Sequence, residues 1–106
     1  MLRGEVWDVA LSPTKGSEQK GTRPAVIISP NTLNTSLDIK VVIPLTTKLK
    51  NWPSRVNTDF KTIKGQAMCE QIRTVSNKRL VNKQGNLSDS EIVEIMSTIS
   101  ALYGTA

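Results

Sequence analysis

The sequence predicts a mainly β fold of the α+β class: a small, strongly bent antiparallel sheet or barrel with one α-helix at the C-terminal end. Three observations carry this. Short apolar runs bounded by Pro, Gly, Asn and Ser recur through the first two-thirds of the chain. No helical pattern separates them, so a parallel sheet with crossover helices does not fit. Helical spacing is confined to the final segment, where Ile92, Ile95, Met96, Ile99, Leu102 and Tyr103 recur on one face. The 106 residues suit one domain spanning 1–106 with a modest core.

Each element follows from its local pattern. Glu5–Leu11 alternates well enough for a first strand with Trp7, Val9 and Leu11 on one face, and Ser12-Pro13 ends it. Residues 12–22 read as a long loop. Pro24–Ser29 is the second strand, stopped by Pro30-Asn31. Lys40–Leu45 is the third, and Pro44 within it suggests an edge position or a bulge. Arg55–Phe60 is a fourth. Gly65–Val75 is a fifth, with Ala67, Cys69, Gln71 and Arg73 on one face and Met68, Glu70, Ile72 and Thr74 on the other. Ser88-Asp-Ser-Glu91 is a capping box that opens the helix, acids fill its first turn, and Gly104 sits at its stop.

Composition narrows the chemistry. The longest apolar runs are far too short for a membrane span, and the opening MLRGEVWD has no apolar signal segment, so a cytoplasmic location is expected. Cys69 is the single cysteine, which excludes an intrachain disulfide and agrees with that compartment. There is no histidine. The commonest general base and metal ligand is therefore missing, and neither a zinc site nor any cofactor is expected. Charge is uneven. All 14 Lys and Arg lie before Asn86, against six acids, whereas Asp89, Glu91 and Glu94 sit in the helix as a capping device. A basic body with a pI near 9.7 suits a polyanion partner.

Three clusters contain groups that could act on such a partner. Glu18 and Arg23 flank Gly21 in the first loop; a carboxylate can accept a proton, and a guanidinium can grip a phosphate with two parallel hydrogen bonds. An idle salt bridge would use the same two residues. Thr46-Thr47-Lys48-Leu49-Lys50-Asn51-Trp52 offers hydroxyls and ammonium groups for phosphate oxygens and an indole that could stack on an unpaired base or sit in an interface. Glu70-Gln71-Ile72-Arg73-Thr74 places a further arginine on a short strand, with Lys78, Arg79 and Lys83 nearby. None is specific alone.

In this order, the clusters resemble the MazF/PemK (Kid) family of toxins from bacterial toxin–antitoxin pairs. The resemblance covers most of the chain and is strongest in Arg3–Pro30, Val41–Thr47 and Cys69–Val75; Gly16-Ser-Glu-Gln-Lys-Gly-Thr-Arg-Pro24 is its most specific run. It implies an SH3-like barrel with a C-terminal helix, a homodimer, and metal-free endonucleolytic cutting of single-stranded RNA, such as mRNA. The 2′-hydroxyl attacks the adjacent phosphate, giving 2′,3′-cyclic phosphate and 5′-hydroxyl ends. By position, Arg23 resembles the catalytic arginine and Thr46 the catalytic threonine. Glu18 is the candidate base and Arg73 a second phosphate clamp. Arginine is a poor acid, so proton delivery is the weaker half of Arg23's role. Ser17, Gln19, Lys20, Thr47, Lys48, Lys50, Trp52, Gln71 and Arg79 would line the RNA path.

Two departures matter. Some relatives use a histidine where this chain has Ser17, and an Asp where it has Ser76. The weight therefore falls on Glu18, Arg23 and Thr46. The resemblance also implies an antitoxin partner with an acidic tail that folds over the basic groove. Two alternatives share the fold. One is a CcdB-like toxin of DNA gyrase, which acts through a C-terminal Trp that Leu102–Ala106 lacks. The other is an RNA-binding regulator without catalysis.

Overall fold

The computed structural model describes residues 1–10 and 21–104. In chain order the elements are β1 (Glu5–Val9), β2 (Arg23–Ile27), α1 (Asn31–Asn34), β3 (Ile39–Thr46), β4 (Arg55–Phe60), β5 (Ile63–Met68), β6 (Arg73–Ser76), β7 (Leu80–Asn86) and α2 (Asp89–Tyr103). All strand pairs are antiparallel, in the order β4-β5-β3-β2-β1-β7, with β6 also on β3. The result is a half-barrel of bent strands closed on one side by α2, as the sequence predicts.

The eight-residue strand β3 organises the sheet. One edge pairs with β2. The other pairs with β6 along Ile39–Val42 and with β5 at Leu45 and Thr46. Pro44 is buried between these last two segments, so the expected edge position is incorrect. Val41 turns its carbonyl to the Ile28 N–H, 2.9 Å away. By alternation, Pro44 turns its missing donor to the opposite edge, where β3 passes from β6 to β5.

Gly65–Val75 is not one strand. A 3-10 turn, Cys69–Gln71, divides β5 from β6. Both parts run antiparallel to β3, with Ala67 opposite Leu45 and Arg73 opposite Val42, so the turn inserts three residues into the register. An odd insertion reverses the facing of everything beyond it. Ala67 shares the face of Leu45, while Arg73 shares that of Val42, Pro44 and Thr46. The predicted common face for Ala67 and Arg73 is corrected accordingly.

Both faces of the central sheet are buried. Val6, Val26, Ile43, Leu45, Val56 and Ala67 pack against Ile92, Ile95, Met96 and Ile99 of α2. On the reverse face Val9, Ala25, Ile27, Val42, Val75 and Leu80 cluster with Trp7. Trp7 and Val9 thus share a face as predicted, and Leu11 lies outside the described residues. The capping box of α2 forms as expected, and Glu91 also accepts the Asp59 N–H at 2.7 Å, tying the helix start to β4. Strand β7 lacks a signature because its residues after Leu80 are mostly polar and exposed.

Candidate active site

Arg23 and Thr46 meet through strand register. Ala25 pairs with Pro44, Val26 with Ile43 and Ile27 with Val42. Continuing that register by two residues sets Arg23 opposite Thr46, just beyond the paired part of the two strands. Both line each of two adjoining clefts, as does Lys48. One cleft, of about 530 Å³, runs between this ridge and the β4–β5 hairpin, where Thr58, Phe60, Ile63 and Gly65 contribute. The other, about 430 Å³, is lined by Lys50, Arg55, Met68 and Gln71 as well. Gly65 lets β5 approach β3 at the edge of the first cleft: a Cβ there would lie 2.5 Å from the Thr46 carbonyl oxygen.

Arg23 is exposed and Thr46 half-buried. The Thr46 Oγ1 accepts the Lys48 N–H at 3.0 Å, which orients the hydroxyl and leaves its hydrogen to donate outward. An exposed guanidinium beside an oriented hydroxyl can bind two oxygens of one phosphate and stabilise charge building there.

The loop after Thr46 is held by Gln66 and by Arg55, Glu70 and Ser54. Gln66 accepts the Lys50 N–H at 3.0 Å and donates to the Lys50 carbonyl at 3.1 Å. Arg55, its side chain 5% exposed, forms an ion pair with Glu70 at 2.9 Å and donates to the Lys48 carbonyl at 3.3 Å. Ser54 donates to the other Glu70 oxygen at 2.6 Å. Partial burial pushes the Glu70 carboxyl up, but the Arg55 and Ser54 bonds outweigh it and hold the group below the ordinary 4.5. The two meet through register: Arg55 opens β4 opposite Met68, two residues before Glu70, so opposite charges stand together at the open end of the hairpin.

The remaining predicted site residues divide. Thr47, Lys48, Lys50 and Gln71 line the clefts. Arg73 lies on the Thr46 face but four residues along β3, roughly 14 Å away at about 3.4 Å per residue, and lines neither cleft. Trp52, 48% exposed, lies beside them with Arg55 4.6 Å and Lys50 5.5 Å from its ring centre, so cations occupy the indole. Arg79 donates to the Ala10 carbonyl at 2.9 Å and fixes the end of β1. Ser17, Glu18, Gln19 and Lys20 lie outside the described residues. Among the described residues no group of three or more His, Cys, Asp or Glu could hold a metal ion.

A half-barrel presenting Arg, Thr, Lys and Gln side chains around paired clefts defines a small β protein whose site has the groups to grip a phosphate and stabilise charge on it. Residues 2–103 match the sequence model of the PemK-like, MazF-like toxins of type II toxin–antitoxin systems, and the chain belongs to that family. Over 100 residues it is 34% identical to the endoribonuclease toxin MazF of Escherichia coli strain K12, covering 93% of this chain and 89% of that one. It is 35% identical over 108 residues to the endoribonuclease MazF of Staphylococcus epidermidis, covering 96% and 90%. The fold also matches a mycobacterial endoribonuclease solved in complex with its cognate antitoxin, with a TM-score of 0.84 at 23% identity, covering 100% of this chain and 97% of that one.

Proposed function

We propose that this chain is the toxin of a type II toxin–antitoxin pair and acts as a metal-independent endoribonuclease on single-stranded RNA in the cytoplasm. The observation that carries the reading is the ridge where Arg23 and Thr46 line two clefts at once. A strand of RNA laid across it would present one phosphate to both side chains, with nucleotides on either side in the clefts.

In the reaction the 2′-hydroxyl oxygen forms a bond to the adjacent phosphorus while the bond from phosphorus to the 5′-oxygen breaks. The 2′-proton passes to a base, for which Glu18 is the candidate, and the leaving oxygen takes up a proton. Arg23 neutralises the extra charge on the phosphoryl oxygens, and Thr46 donates to one of them. Lys48 and Lys50 hold flanking phosphates, and Arg73 serves a phosphate beyond the scissile one. With no histidine in the chain, the scheme uses no imidazole. Homodimerisation and an antitoxin with an acidic tail complete the reading. Family membership and the basic body support the latter.

The test is to incubate the purified protein with mixed-sequence RNA in EDTA and map the new ends. The expected result is cutting at a short preferred sequence with 2′,3′-cyclic phosphate and 5′-hydroxyl ends. Intact protein that cuts only with added metal, or leaves 5′-phosphates, contradicts it.

A further inference from the structure

The two clefts that share the Arg23–Thr46 ridge differ in chemistry. One carries Lys50, Arg55 and Gln71 and suits a phosphate chain. The other has an apolar far wall, Phe60 and Ile63, over a floor that includes Thr58. We propose that this apolar cleft is a base-holding subsite, taking one unpaired nucleobase next to the scissile phosphate and setting base preference at that position. The inference rests on the ribonuclease reading above.

Geometry supports a built wall. Phe60 and Ile63 are the closing pair of the β4–β5 hairpin, directly opposite one another, so their side chains share a face. The two residues between them, Lys61 and Thr62, have φ of 53° and 62°, the left-handed values that a tight two-residue hairpin demands. Thr is β-branched and ill-suited to that region, so the chain keeps a tight turn here against local preference. The Phe60 ring packs on Gly85, where a Cβ would come within 3.2 Å of it. Ile63 is 59% exposed at the cleft mouth. A fixed aromatic beside an exposed branched aliphatic makes a flat apolar slot, and every base has a π-face to lay on it. Its volume of about 530 Å³ falls within the ~300–1,000 Å³ usual for small-ligand sites. Lys61 Nζ lies 5.6 Å from the Phe60 ring centre, so one ammonium shares this wall and selection combines size, stacking and that charge.

The experiment measures binding by the full chain to the tightest binder drawn from a mixed pool of short 2′-deoxy oligonucleotides, which lack the attacking hydroxyl. Each base is then removed in turn. One abasic position is expected to weaken wild-type binding roughly tenfold. In Ile63→Ala and Phe60→Ala that same removal should change binding less than twofold, because the wall that felt the base is gone. Ile63 is exposed, so its variant keeps the test valid if Phe60→Ala unfolds. Equal abasic penalties in Ile63→Ala and wild type at every position overturn the proposal, as does a wild-type chain that binds no oligonucleotide. It is also overturned if Ile63→Ala weakens binding of an acidic antitoxin peptide alone. Coupling without RNA cutting contradicts the ribonuclease reading and leaves the subsite standing; cutting without coupling does the reverse.

Discussion

Arg23 stands two residues past the last β2–β3 pair; continuing that register sets it opposite Thr46, and both line the same two clefts. The residue types stand in the sequence as candidates for a phosphate. Their meeting was not legible there, since no local pattern encodes a register between strands separated by a turn and a short helix. Cys69 shows the same limit. As a letter it is a free thiol; in the fold it is fully buried. Burial first, then Glu70 and Glu94, push its thiol up to about 11. The thiolate is the reactive form. Native protein at pH 8 should therefore react with a thiol-specific disulfide reagent at least tenfold more slowly than unfolded protein. Equal rates in a colorimetric thiol assay would contradict that burial.

At the scale of elements, patterns with strong local chemistry were readable and those set by tertiary contact were not. The Ser88–Glu91 box announced α2 because its hydrogen bonds lie within one turn. The three-residue insertion at Cys69–Gln71 has no Gly or Pro to mark it, yet it carries Arg73 to the face of Arg23 and Thr46. The β4–β5 turn was equally silent, because Lys61-Thr62 fills positions where Asn-Gly is usual. That mismatch predicts a gain. Thr62→Gly should stabilise the protein by about 1 kcal/mol, by removing a β-branched residue from left-handed backbone. In a thermal melt this would raise Tm by roughly 4–8 °C, the shift for a domain of this size. A lower Tm would show the turn to be unstrained.

Across the whole molecule, the basic body and acidic helix were legible in full from composition. The polar ties between strands were not, because they depend on which strand lies beside which. Two of them make stability sensitive to acid. Glu70 is held below 4.5 as Arg55 and Ser54 outweigh burial, and Glu5 likewise as Trp7, Leu2, Lys83 and the N-terminus outweigh its own burial. Both carboxyls hold their proton less tightly in the folded state than in the unfolded one. Their contribution is therefore present above about pH 4.5 and is lost as the pH falls through their lower folded values. Urea midpoints should fall between pH 5 and pH 3, and by less in Arg55→Met, whose own starting stability is reduced. A midpoint flat with pH would contradict the two ties. Binding of single-stranded RNA should also weaken steeply with salt, the logarithm of affinity falling linearly with that of salt concentration. Salt-independent affinity would remove the role given to Lys48 and Lys50.

The central claim is that the Arg23–Thr46 ridge performs the cut, and single-turnover cleavage in EDTA tests it most directly. Rates are measured for wild type, Arg23→Ala and Arg23→Lys on one RNA carrying the preferred sequence, with Tm recorded alongside. Arg23→Ala is expected to lose roughly 100- to 1,000-fold in rate at unchanged Tm, with Arg23→Lys in between, because one ammonium cannot make the paired bonds of a guanidinium. Folded Arg23→Ala protein that cuts at the wild-type rate would show that the chemistry lies elsewhere.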